Sequence, residues 1–84
     1  MPRYHPPVHV ILYSRPGCHL CDVARDVILA ERDRAGFAFE EIDIETSDAL
    51  VKEYGIRIPV VTLDGDERFE IAVDPAEFSR LVRG

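Results

Sequence analysis

An apolar run over residues 8–13, Val-His-Val-Ile-Leu-Tyr, breaks at Ser14-Arg15-Pro16-Gly17 and gives way to helical periodicity over 19–35. A second strand-like run follows over 37–44. A strand, a helix and a strand spaced this closely form a βαβ unit, which requires a parallel pair joined by a right-handed crossover. In the helical segment Leu20, Val23, Ala24, Val27, Ile28 and Ala30 or Glu31 recur at i, i+3, i+4 and predict the buried face. Asp22, Arg25, Asp26, Arg32 and Asp33 fall largely on the other side, and Gly36 is a natural stop.

The rest of the chain completes the pattern. Thr46 or Ser47 is placed to cap a short helix running through Tyr54, with Gly55 after it. Residues 60–63 and 68–73 read as strands joined through Asp64-Gly65-Asp66, and Asp-Gly between such runs signals a hairpin. Asp74-Pro75-Ala76-Glu77 then combines a cap, a proline at the first helical position and a carboxylate at the third. Phe78, Leu81 and Val82 form the apolar stripe of that last helix. The predicted order is β-α-β-α-β-β-α: an α/β fold with one mixed four-stranded sheet flanked by helices.

Chemistry enters at the first strand-to-helix junction. Cys18 and Cys21 are the only two cysteines, and they bracket His19-Leu20 where the helix begins. The first sulfur stands at a helix N-terminus, where unpaired N–H groups and the positive dipole end favour a thiolate. The second follows one turn later on the same side, within disulfide reach. A bond between them closes too small a loop to stabilise the chain by entropy, so a structural staple explains the pair poorly. A dithiol used for thiol–disulfide exchange explains it well. Cys18 is the expected nucleophile, and Cys21, expected to be more buried, the resolving thiol. Arg15 and His19 are the nearby cationic candidates for stabilising the thiolate or contacting substrate.

Composition narrows the function classes. The 84 residues are 46% hydrophobic, enough for a core in one domain without metal or multiple disulfides. With 16 acidic against 10 basic residues the net charge is -6 and the nine arginines are scattered, which argues against nucleic acid. No run approaches membrane-spanning length, and residues 1–7 lack the apolar centre of a secretion signal. The expectation is a cytoplasmic monomer without membrane or nucleic-acid partners, in which two cysteines serve chemistry. Residues 1–7, with Pro2, Pro6 and Pro7, read as a short arm ahead of the domain.

In element order and spacing over residues 8–83 the chain resembles the thioredoxin-fold superfamily, and glutaredoxin-like proteins most closely. The carriers are Tyr13-Ser14-Arg15-Pro16-Gly17-Cys18-His19-Leu20-Cys21, the central Glu41-Ile42-Asp43-Ile44, and Ile58-Pro59-Val60 followed by Asp64-Gly65. The resemblance implies a cis proline at Pro59 beside the dithiol, with Ile58 and Pro59 lying against a bound substrate. It further implies protein or small-molecule disulfides as substrates and a thiol reductant, glutathione or a reductase, as partner. No cofactor is expected beyond glutathione as co-substrate. The departures are specific. His19 stands where glutaredoxins commonly carry proline, and Arg15 where they usually carry lysine. Arg68-Phe69-Glu70-Ile71-Ala72-Val73-Asp74 occupies the place of the Gly-Gly and acidic residues that hold the γ-glutamyl end of glutathione.

Two other classes stand beside the redox reading: a metal or iron–sulfur carrier, and a non-catalytic adaptor that uses the fold for docking. His5, His9, Cys18 and Cys21 match a zinc inventory by type, but an extended strand puts His9 about 13 Å from Tyr13, at the wrong end. No metal ligand is therefore assigned. Tyr13 and Tyr54 read as packing residues, and Glu40-Glu41 as solvated surface.

Overall fold

In a computed structural model, described over residues 8–83, the chain forms strands β1 (His9–Ser14), β2 (Ala38–Asp43), β3 (Val60–Leu63) and β4 (Asp66–Glu70). Its helices are α1 (His19–Ala35), α2 (Asp48–Tyr54) and α3 (Pro75–Arg83), with a 3₁₀ turn at Ile44–Thr46. The strands make one sheet in the order β2-β1-β3-β4. β1 pairs in parallel with β2, and β3 pairs antiparallel with both β1 and β4. The α/β architecture and mixed four-stranded sheet are those expected from the sequence. The arm expected at 1–7, with His5, lies outside the described residues.

Strand alternation divides the packing between the two faces of the sheet. Val10 and Leu12 of β1 and Val61 and Leu63 of β3 join Ala24 and Ile28 of α1 and Phe78 and Val82 of α3 in the main core. Phe78 is wholly buried and meets Phe37 edge-on, with ring centroids 5.6 Å apart and planes at 85°. On the opposite face Tyr13 stacks on Tyr54 of α2, centroids 4.2 Å apart, so both tyrosines pack as expected.

Several local readings shift. The buried stripe of α1 is Cys21, Ala24, Ile28 and Glu31, while Leu20 and Val23 are about half exposed (48% and 47%). With Cys21 wholly buried at the start of this stripe, Leu20 and Val23 turn toward solvent. β4 runs Asp66–Glu70, not 68–73, because Asp64 and Gly65 both adopt positive φ (52° and 89°). Such a two-residue turn brings Asp66 directly opposite Leu63. β2 ends at Asp43, whose carboxylate accepts the Glu45 N–H at 2.8 Å and opens the 3₁₀ turn. Of the two expected caps of α2, Ser47 is the one used, its hydroxyl accepting the Leu50 N–H at 3.4 Å.

Candidate active site

β1 ends at Ser14, and Gly17, at φ 77°, turns the chain into α1. This conformation is costly for any residue with a Cβ. Cys18 follows as the N-cap of α1, in extended conformation (φ -93°, ψ 105°), and its sulfur accepts the Cys21 N–H at 3.1 Å. Caps are usually oxygen side chains; here a sulfur occupies the position and answers one of the helix's free N–H groups. Cys18 and Cys21 are joined as a disulfide with their Cα atoms 5.2 Å apart. Cys21 is wholly buried and Cys18 partly exposed, the asymmetry expected from the sequence.

The register assembles the rest. Val60 lies opposite both Tyr13 of β1 and Glu70 of β4. Pro59, just before Val60, and Ile71, just after Glu70, therefore stand at the same end of the sheet as the cysteine loop. The Ile58–Pro59 peptide is cis. Pro59 is wholly buried and Ile58 partly exposed. Ile71 N–H donates to Pro59 C=O at 2.8 Å and to Arg57 C=O at 3.2 Å, fixing this loop to the end of β4. Arg57 secures it from the other side through Glu67 (2.8 Å) and Glu70 (3.3 Å), with its guanidinium 5.4 Å from the Tyr54 ring centre.

The cationic candidates diverge. His19 is the first residue of α1 and exposed, beside Cys18. Arg15 turns its Nε toward Glu45, 3.3 Å away, so its charge is shared with that carboxylate. His9 starts β1 at the opposite end of the strand and lies 3.5 Å from Glu40. Among the described residues, no group of three or more His, Cys, Asp or Glu side chains is placed to hold a metal ion.

Sequence reasoning missed a charged network beside the cysteine loop. Glu41, read as surface, shares a face of β2 with Phe39 and turns toward α1. It accepts the Ser14 hydroxyl at 2.6 Å and two Arg25 N–H groups at 2.7 and 2.6 Å. Arg25 also donates to Asp22 at 2.8 Å. The network thus ties the residue where β1 leaves the sheet to the residue just past Cys21. Hydrogen bonding from Arg25, aided by Ser14, holds the Glu41 carboxyl below its usual range, and burial opposes it. These side chains, with Arg15, Pro16, Gly17 and Asp43, wall a cavity of about 410 Å³ beside the cysteine loop. Glu41 stays at the surface, as read; the alternation of β2 from the apolar Phe39 is the signal that could have placed it on the α1 side.

Residues 9–83 match the family model described as Glutaredoxin-like domain (DUF836). A solved structure from Nitrosomonas europaea superposes with a TM-score of 0.80 at 24% identity, covering 98% of this chain and 99% of that one. A structural-genomics target protein from X. campestris is 33% identical, with a TM-score of 0.69 over 86% of this chain and 92% of its own. A mutant thioredoxin from Halobacterium salinarum shares the fold at 23% identity, with a TM-score of 0.68 over 92% of this chain and 73% of that one. No curated protein matches the sequence. No helix among the described residues is long and apolar enough to cross a membrane.

Proposed function

The chain belongs to the Glutaredoxin-like domain family, and from that premise we propose that it is a small thiol–disulfide oxidoreductase working through Cys18 and Cys21. The observation that carries the reading is the sulfur cap: a partly exposed Cys18 accepts an N–H at the start of α1 and is bonded to a wholly buried Cys21. In the reduced protein the same N–H and the helix dipole favour negative charge on Cys18 over Cys21, whose burial disfavours a thiolate.

The reaction follows from this asymmetry. The Cys18 thiolate attacks one sulfur of a substrate disulfide, the substrate S–S bond breaks, and the departing thiolate takes a proton from water. Cys21 then gives up its proton and attacks Cys18 Sγ, releasing the second substrate thiol. The protein is left with its Cys18–Cys21 disulfide, and two electrons have passed to the substrate. A thiol reductant, glutathione or a reductase, restores the dithiol.

The remaining residues take supporting roles in the same proposal. Ile58 offers its main chain to an extended substrate, with Pro59 holding that edge against the dithiol. His19 and Arg15 supply positive charge at the mouth of the site. The net charge of -6 favours neutral or basic substrates, and the two-cysteine economy suits the cytoplasm.

The test is a trap. Reduced Cys21→Ser and Cys18→Ser proteins are each mixed with glutathione disulfide and weighed intact by mass spectrometry. Cys21→Ser is expected to hold one glutathione at Cys18, and Cys18→Ser to hold almost none. Equal adducts on both would remove the distinction between nucleophile and resolving thiol.

A further inference from the structure

The turn that ends β4 carries strain that the dithiol chemistry does not use. Ile71 has φ 72°, and Ala72 N–H donates to Glu70 C=O at 2.8 Å, closing a γ-turn centred on Ile71. The positive-φ γ-turn is rare and strained, and a β-branched residue is among the worst suited to it. The two hydrogen bonds from Ile71 N–H to Pro59 and Arg57 hold the backbone in this state. Glycine would meet the same requirement at lower cost.

The sequence instead places an isoleucine there, and the fold does not bury it. Ile71 is 43% exposed and stands outside the core cluster, which includes Val73 and has Phe69 packed against it. Packing of the covered part of the side chain therefore offsets the strain only in part. Backbone strain that persists without a full offset is characteristic of functional positions. The register puts the residue at the dithiol end of the sheet, hydrogen-bonded through its own backbone to the Pro59 loop.

Resting on the thiol–disulfide reading, we infer that Ile71 is a substrate-contacting residue that selects polypeptide disulfides with an apolar residue beside the cystine. Its side chain meets that residue while the substrate disulfide is presented to Cys18. The strained turn is the means of projecting an apolar group from a loop otherwise committed to holding Pro59.

The experiment uses fully reduced protein in single-turnover reactions with three probes. These are a cystine peptide flanked by leucine, its counterpart flanked by serine, and hydroxyethyl disulfide. Wild type is compared with Ile71→Gly and with Ile71→Asn, which tolerates positive φ but is polar. Wild type is expected to prefer the leucine peptide. In both variants the ratio of its rate to that of hydroxyethyl disulfide is expected to fall about tenfold. The melting temperature of Ile71→Gly is expected to rise, which a side chain kept for structural reasons would not allow. If wild type reduces hydroxyethyl disulfide but shows no leucine preference, or the variants keep the wild-type ratio, Ile71 does not meet substrate and the oxidoreductase reading stands. If wild type reduces none of the probes, that reading falls and takes this inference with it.

Discussion

The Arg25–Glu41 pair offers a measurable link between the sheet and the helix that carries the dithiol. Two N–H groups of Arg25 reach Glu41 at 2.7 and 2.6 Å, and both side chains are close to one-third exposed (31% and 30%). Sheltered hydrogen bonds to charged groups contribute about 1.5–3 kcal/mol. At this exposure water and salt remove most of that, and ordinary surface pairs couple by about 0.2–1 kcal/mol. Two parallel N–H bonds to one carboxylate place this pair near the upper end, at about 1 kcal/mol. The assay is a double-mutant cycle in urea with Arg25→Met, Glu41→Gln and the double variant, at neutral pH and again near pH 3. Each kcal/mol corresponds to about 4–8 °C in melting temperature for a chain of this size.

The pH dependence has a defined sign. Arg25 and then Ser14 hold the folded-state pKa of Glu41 below its unfolded value. The contribution is therefore complete above the ordinary glutamate pKa of about 4.3 and is lost as pH falls through the lower folded-state value. A coupling indistinguishable from zero at neutral pH would refute the reasoning. So would a coupling that persists unchanged once Glu41 is protonated.

Other outcomes follow from the same contacts. Gly17→Ala should destabilise the protein by about 1–2 kcal/mol in urea, because the turn into α1 needs φ 77° there although nothing lies within 4 Å of an added Cβ. Phe78→Ala removes a wholly buried ring that meets Phe37 and Phe69. Its expected cost of about 3–5 kcal/mol is a large share of a stability of roughly 4–13 kcal/mol for a domain of this length, so circular dichroism should show a largely unfolded or steeply less stable protein. Glu31 joins α1 to Arg83 (2.7 Å) and Ser79 (3.0 Å) of α3, and the Arg83 hydrogen bond lowers its pKa. Stability from this contact is present above the ordinary glutamate range and lost below it, so Glu31→Gln should flatten the acid limb of a stability–pH curve. An unchanged acid limb would count against that contact.

The parts of this structure that depend on local pattern were readable from the sequence. The apolar run at 8–13, the Asp64-Gly65 turn and the Asp74-Pro75 cap each have one strongly favoured local form, and together they imply the sheet. The cysteine pair was readable for the same reason, since N-cap chemistry and a one-turn separation are properties of nearby residues. Phase and partner choice were not. Whether Leu20 or Cys21 faces inward depends on where α1 lands on β1 and β3, which periodicity alone leaves open between adjacent positions. The pairing of Glu41 was not readable because its partners, Ser14 and Arg25, are distant in sequence and converge only when β2 pairs beside β1. Ile71 reads as one more strand residue, and its positive φ arises from the demands of the Pro59 loop rather than from its own preference.

The dithiol itself is best examined by equilibrating metal-stripped protein in glutathione redox buffers, trapping free thiols and weighing the products intact. If Cys18 and Cys21 form a working couple, both thiols vanish together and the oxidised fraction follows a two-electron curve, about 30 mV per tenfold change in ratio. Loss of one thiol without the other, or a pair that stays reduced across the whole series, would contradict thiol–disulfide exchange as the chemistry of this protein.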